Sequence, residues 1–372
     1  MDAASRIFQR FPLVARPRPT CPPLAERVRE VGDLARKSER DSSVSLAAVT
    51  YNKAALIASD CGLPDLARSL CWRHHEAYLR TQPLGAQVAR YALEPLVNLA
   101  RLLVRSGDGE EAYRVLGALF QAVTVRSEIV IDGRSVSFSR LGGSEGDCRT
   151  LRQWMWAVLL ADGARALTSV GRWTDALDHL RQYRGVGARM LDGRQVAIIA
   201  GITAGSTSEA MAQLADTVPG EPWENTVTAC LTVLARRHAD GPSDQDLYTM
   251  LDGYQQLHRI PELAVFHTRL GLTVIDAADG VPHSVVRSIA ADLVERTAQG
   301  GDGYAARDVL AHPGCVSLMS TRQADQLSTL VEACALGRGA LPAEVRSDLL
   351  AALELSDAVI ARTVKSGGTP NP

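Results

Sequence analysis

Lysine is nearly missing from this chain: of 40 basic residues only Lys37, Lys53 and Lys365 are lysines. A bias this strong toward arginine reads as the mark of a GC-rich bacterial genome rather than of a binding surface. Aromatic residues are few, at 5%, which argues against an all-β fold, because strands draw heavily on aromatic and β-branched side chains. No C-x-x-C pair occurs among the seven scattered cysteines. That removes the thiol-redox motif and the paired-cysteine zinc site, and leaves these residues as small apolar core groups in a reducing compartment. No stretch reaches the roughly 18 apolar residues of a membrane span, and the first residues, MDAASRIFQRFPLVARPRPTCPP, lack the apolar run of a signal peptide. A cytoplasmic location is therefore expected. Charge of one sign is also lacking: the net value is -2, so neither nucleic acid nor a membrane surface is an expected partner. Phosphate-loop, dinucleotide, nucleophile-elbow, zinc-protease and kinase signatures are all missing. No cofactor and no metal are expected.

What the chain has is helix-forming material. With 46% hydrophobic residues over 372 positions it can bury a long core. Its abundant Ala, Leu and Arg lose little side-chain freedom in a helix. Residues 1–24 carry several prolines and read as an extended arm, and 366–372 reads as a disordered tail. Between them one pattern recurs: a Gly, then an Ala five residues on, then an amphipathic stretch. It appears at Gly62 and Ala67, Gly107 and Ala112, Gly171 and Ala176, Gly205 and Ala210, and Gly301 and Ala306. Each Gly can end a helix in the left-handed conformation, and each Ala lets the next helix pack closely. That is the logic of antiparallel helix pairs. Successive spacings are irregular, but the step from Ala176 to Ala210 matches the tetratricopeptide repeat length. The expected fold is an all-α, irregular tetratricopeptide-like solenoid.

One segment breaks the pattern. Around Asp132-Gly133 the residues Glu128-Ile-Val-Ile and Ser135-Val-Ser-Phe-Ser alternate in polarity, which predicts a β-hairpin with a type I′ turn. The expected organisation is thus helical repeats over 25–125, an inserted hairpin over 126–147 and further helical repeats over 148–365. Later helix starts are expected near Pro222, Ser243, Pro261, His283, Thr321 and Pro342, with Ser243 and Asp246 forming a capping box.

Two groups of residues are candidates for function. Asn98 and Arg101 stand nine and six residues before Gly107, Asp162 and Arg165 stand nine and six before Gly171, and Asn52 stands ten before Gly62. On first helices of stacked pairs such residues can line an inner groove, where Asn hydrogen-bonds an extended peptide and Arg holds a carboxylate. The bland alternative is a local ion pair between Asp162 and Arg165, with solvated asparagines. The second group is Cys71-Trp-Arg-His-His-Glu-Ala-Tyr. Here His74, His75 and Tyr78 are candidate proton-transfer groups, although His74 falls on the inward stripe where a histidine is usually a satisfied core residue. Cys71 and His75 sit at i,i+4, but two ligands do not make a metal site. Trp154 and Trp156, with Arg149 and Arg152, form an aromatic and basic cluster suited to packing the hairpin or to meeting a partner.

The stretch Tyr51-Asn-Lys-Ala-Ala-Leu-Ile-Ala-Ser-Asp-Cys-Gly-Leu-Pro-Asp-Leu-Ala, continuing to Cys71-Trp-Arg-His-His-Glu, resembles helical proteins of streptomycete-type actinobacteria. In particular it is similar to the stand-alone proteins that accompany kinase-like and lyase-like enzymes in class V lanthipeptide pathways. The resemblance implies binding of a dehydrated precursor peptide and help in adding a Cys thiol to a dehydroamino acid. Such a cyclase would work without metal, with thiol and acceptor held together. The competing expectation is a non-catalytic scaffold, or a regulator that senses a signalling peptide.

Overall fold

A computed structural model describes residues 3–79, 84–139, 141–279 and 284–365. The expected helix start at His283 and the tail 366–372 lie outside these residues. The described residues form an all-α protein with one small β-hairpin. No helix among them is long and apolar enough to cross a membrane.

The recurring Gly and Ala positions explain the helix pairing. All five glycines have positive φ, between 68° and 87°, where a β-carbon would be strained. All five alanines are fully buried. At Gly107, for example, the chain leaves one helix through Gly107 N–H to Val104 O (3.2 Å) and Asp108 N–H to Leu103 O (2.9 Å), satisfying carbonyls that the helix end leaves without partners. Asp108 then accepts from Glu111 N–H to cap the next helix, as a short acidic side chain does at an N-terminus.

The chain divides into two compact units, each assembled from separate stretches. One comprises 24–170 and 335–372. It holds α2 (Leu24–Asp41), α3 (Val44–Asp60), α4 (Pro64–Tyr78), α5 (Ala86–Arg105), α6 (Gly109–Val125), strands β1 (Glu128–Ile131) and β2 (Arg134–Ser137), α7 (Glu145–Ser169) and the final helix α18 (Ala343–Lys365). Each helix from α2 to α7 packs on the next, while α3 meets α5 and α5 meets α7. Helix α18 packs on α2, α3 and α4, burying Leu349, Leu353, Val359 and Ile360.

The hairpin forms at the expected place. Glu128 pairs with Ser137 and Ile131 with Arg134, and Asp132 and Gly133 both take positive φ, the type I′ requirement. It is held by helix α4: Asp132 accepts from Arg68 Nη1 at 2.6 Å and from Trp72 Nε1 at 3.1 Å, and Arg134 pairs with Glu76 at 2.7 Å. The Arg134 guanidinium also lies over the Trp72 ring, 4.8 Å from its centre.

The other unit comprises 1–23 and 171–334. Its helices are α1 (Ala3–Phe8), α8 (Trp173–Gln182), α9 (Asp192–Thr203), α10 (Thr207–Ala215), α11 (Pro222–Arg237), α12 (Asp244–Gln255), α13 (Ala264–Ala277), α14 (Ser284–Gly300), α15 (Gly303–Leu310), α16 (Pro313–Val316) and α17 (Thr321–Ala333). The arm expected to be extended is helical over Ala3–Phe8, a stretch without proline whose Ile7 and Phe8 are buried. Beyond it the chain is extended, and it too is packed. Phe11, Leu13 and Cys21 are buried, Gln195 bonds both backbone groups of Leu13 at 2.7 Å, and Arg10 pairs with Asp276 at 2.6 Å. The capping box at Ser243 and Asp246 is present. Pro261 opens a 3-10 turn that leads into α13, and α11, α17 and α18 start at or beside the expected residues.

Candidate functional site

Asn52 on α3, Asn98 and Arg101 on α5, and Asp162 on α7 come together as one hydrogen-bonded row. Asn98 Nδ2 donates to Asn52 Oδ1 at 3.0 Å, and Arg101 Nη1 donates to Asn98 Oδ1 at 3.0 Å. Arg101 Nε lies 3.2 Å from Asp162 Oδ2 and Nη2 lies 2.8 Å from the same oxygen. The row crosses three helices whose members are 46 and 61 residues apart in sequence. Asp162 is thus engaged across helices by Arg101. Arg165, one turn further along α7, is exposed.

The row has a surplus of donors. An arginine carries five N–H groups and no acceptor, and a primary amide carries two N–H groups. After the bonds above, part of the Arg101 fork, one N–H of Asn98 and the amide N–H pair of Asn52 meet no acceptor among the described residues. Arg101 is exposed, and Asn52 and Asn98 are half-buried, so these donors are open to an incoming acceptor. Two turns toward the start of each helix lies a second link: the Arg90 guanidinium of α5 sits 5.5 Å from the ring centre of Trp154 on α7. Helical spacing puts Glu94 between the two links on α5 and Val158 on α7. The gap between the links is therefore an acid on α5 and one half-exposed apolar side chain on α7.

The α4 candidates are placed differently. His74 is buried and stacks flat on Tyr51, with centroids 4.6 Å apart, and its Nε2 lies 3.3 Å from Tyr78 Oη. Burial pushes its pKa from 6.5 to about 3 and holds the Tyr78 hydroxyl well above the usual phenol range. His75 donates from Nδ1 to Ala92 O at 2.7 Å, which leaves Nε2 an unprotonated, buried acceptor, and its pKa is lowered by burial. Cys71 is also buried, its thiol pushed up to about 12 by desolvation. These groups form core, with Tyr51 tied in turn to Asp357 of α18, which also takes two bonds from Arg73 at 3.0 and 2.6 Å. Among the described residues no group of three potential ligands is placed to hold a metal ion.

The tryptophan that holds the hairpin turn is Trp72. Trp154 instead carries Arg90, Trp156 is exposed, Arg149 is exposed, and Arg152 donates to Thr124 O at the end of α6 (3.3 Å).

Sequence reasoning missed a buried ion cluster beside the row. Asp60, at the end of α3, accepts from both Arg27 of α2 and Arg105 of α5. The three residues lie 33 and 45 positions apart, so no local spacing announces them. Arg105 shares the α5 face of Asn98 and Arg101, which would have been the available signal.

No family model, no curated protein and no solved structure matches this chain.

Proposed function

We propose that the α3–α5–α7 face binds an extended peptide, with donors of Asn52, Asn98 and Arg101 taken up by carbonyl oxygens of its backbone. The observation that carries this reading is the joined row itself: three helices contribute to one line of side chains, and that line has N–H groups to spare. An extended chain offers carbonyl acceptors at regular intervals with no demand for a particular side chain. Val158, half-exposed between the polar links, would take one of its side chains.

The resemblance of the Tyr51 to Glu76 segment makes a precursor peptide the first ligand to try, one that contains Cys together with dehydrated Ser or Thr. Kinase-like and lyase-like enzymes would supply that dehydration. The role of the face is to hold the peptide. His74, His75, Tyr78 and Cys71 take no part in it, being enclosed in the core; any help in ring formation would come from holding thiol and acceptor together. A scaffold or sensor that binds an unmodified peptide through the same face would use the same donors.

The test is fluorescence anisotropy of labelled peptides, dehydrated and unmodified, against the full chain and its Asn98→Ala variant. A loss of about tenfold in affinity is expected, the size of one or two lost hydrogen bonds, with helicity by circular dichroism unchanged. Equal affinity for wild type and variant would overturn the assignment.

A further inference from the structure

In the unit comprising 1–23 and 171–334, the segment from Arg10 to Cys21 is held as a ligand is held. Gln195, fully buried in the first turn of α9, takes both main-chain groups of Leu13: Oε1 accepts its N–H and Nε2 donates to its carbonyl, each at 2.7 Å. Cys21 is taken the same way. Its N–H goes to Asp302 Oδ2 at 3.2 Å, and its carbonyl accepts from Gly303 N–H at 2.8 Å. Main-chain bonds of this kind ask only for an extended chain, and side chains add the selection. Phe11 and Leu13 are buried, Arg10 pairs with Asp276 of α13 at 2.6 Å, and Arg16 pairs with Asp192 of α9 at 2.5 Å. Residues 3–23 carry Arg6, Arg10, Arg16 and Arg18 and no acid, so a basic segment lies against acidic anchors.

Those anchors do not depend on the segment for their positions. Gln195 Nε2 also donates to Met190 O at 3.1 Å, Asp276 Oδ1 lies 2.9 Å from His312 Nε2, and Asp302 Oδ1 caps α15 through the N–H groups of Tyr304 and Ala305 at 2.9 and 3.1 Å. Each has a partner in the body of the unit that keeps it aimed when the segment is gone. Pro17 to Thr20, between the two points of main-chain attachment, are exposed. The segment is fastened at intervals rather than enclosed along its length.

We infer that α9, α13 and the start of α15 form a binding groove for an extended basic peptide with the spacing Arg-Phe-x-Leu-x-x-Arg, and that the chain's own Arg10 to Arg16 stretch is its resident occupant. The arm is thereby a tethered competitor, present at the high effective concentration that a covalent link gives. A peptide in solution gains the groove only in the fraction of molecules whose arm has left it, so its apparent affinity is reduced by that fraction. None of the residues of the α3–α5–α7 face takes part.

The experiment is fluorescence anisotropy of a labelled peptide with the sequence of residues 6–21, titrated with the full chain under reducing conditions. In the chain, Arg10→Ala/Arg16→Ala removes the ion pairs of the resident arm and leaves those of the added peptide, so the peptide should bind about fivefold more tightly than to wild type, the size of two partly exposed ion pairs. Adding Asp192→Asn and Asp276→Asn to that chain removes the same pairs from the peptide and should return its affinity to the wild-type level. Circular dichroism checks that each variant is folded. Binding at the α3–α5–α7 face would respond to neither change. The inference is overturned if the arginine variant binds the peptide no better than wild type, or if the two acid substitutions leave its affinity where it was.

Discussion

Asp60 shows how much a single buried charge can matter. Its carboxylate is inaccessible and held by Arg27, itself buried, and by the half-exposed Arg105. Removing one partner from a buried pair leaves the other charge desolvated, at a cost of about 3–5 kcal/mol. Asp60→Asn should therefore lower the urea-unfolding free energy by about 3 kcal/mol, while Arg105→Gln, at the exposed side, should cost less than half as much. His74 gives a pH dependence whose sign is fixed. In the unfolded chain it binds a proton below about 6.5, whereas in the folded core it does so only near 3. Between those values the unfolded chain holds more protons, so stability present above pH 6.5 is lost as pH falls, by about 2 kcal/mol at pH 5. His74→Phe should flatten that part of the stability curve in denaturant titrations across pH 4.5–8, even though it removes the partner of Tyr78 Oη. An unchanged slope would mean His74 does not titrate as its burial implies. At this scale the sequence was informative about His74, which falls on the inward stripe of its helix, and silent about Asp60, whose partners are distant in the chain.

Among the elements, the turn glycines separate two kinds of constraint. Gly107 has φ +87° and open space where a β-carbon would stand, whereas a β-carbon on Gly109 would lie 2.2 Å from the Ala166 carbonyl oxygen of α7. Gly107→Ala should cost only the left-handed strain, roughly 1 kcal/mol. Gly109→Ala must push α6 from α7 and should cost more, about 2–4 kcal/mol, read as a difference in thermal or urea midpoints between the two variants. The first constraint was legible, because a helix that ends at Gly and resumes at a buried Ala repeats along the chain. The second was not, since close approach depends on which helix lies opposite. The hairpin was legible for a similar reason: alternation and Asp132-Gly133 are local signals. Its fastening to Arg68, Trp72 and Glu76 on α4, rather than by Trp154 and Trp156, follows from packing over a separation of 60 residues or so that polarity patterns do not encode.

For the whole molecule, the chain order and the compact units part company. The residues expected to form one linear series are divided so that 1–23 belongs with 171–334, and 335–372 with 24–170. Amphipathic periodicity tells which face of α18 is buried; it carries no information that the partners are α2, α3 and α4. The same limit applied to the candidate site in a milder form. Offsets from the turn glycines put Asn98 and Asp162 in the same phase, with Arg101 one turn on and Asn52 one residue off, and stacking of α3, α5 and α7 turned that phase into contact. What the offsets could not give was the pairing of Arg101 with Asp162. That pairing also supplies the sharpest test, because a binding face and a mere strut predict opposite responses to its two halves. The measurement is peptide affinity of the full chain with Arg101→Ala and with Asp162→Ala, alongside the urea midpoint of each. If the face binds peptide, Arg101→Ala loses affinity about tenfold while Asp162→Ala, which frees the guanidinium for a peptide carbonyl, keeps it or tightens it. If both variants lower the urea midpoint equally and bind peptide as the wild type does, the row is a strut between helices and peptide binding by the α3–α5–α7 face is contradicted.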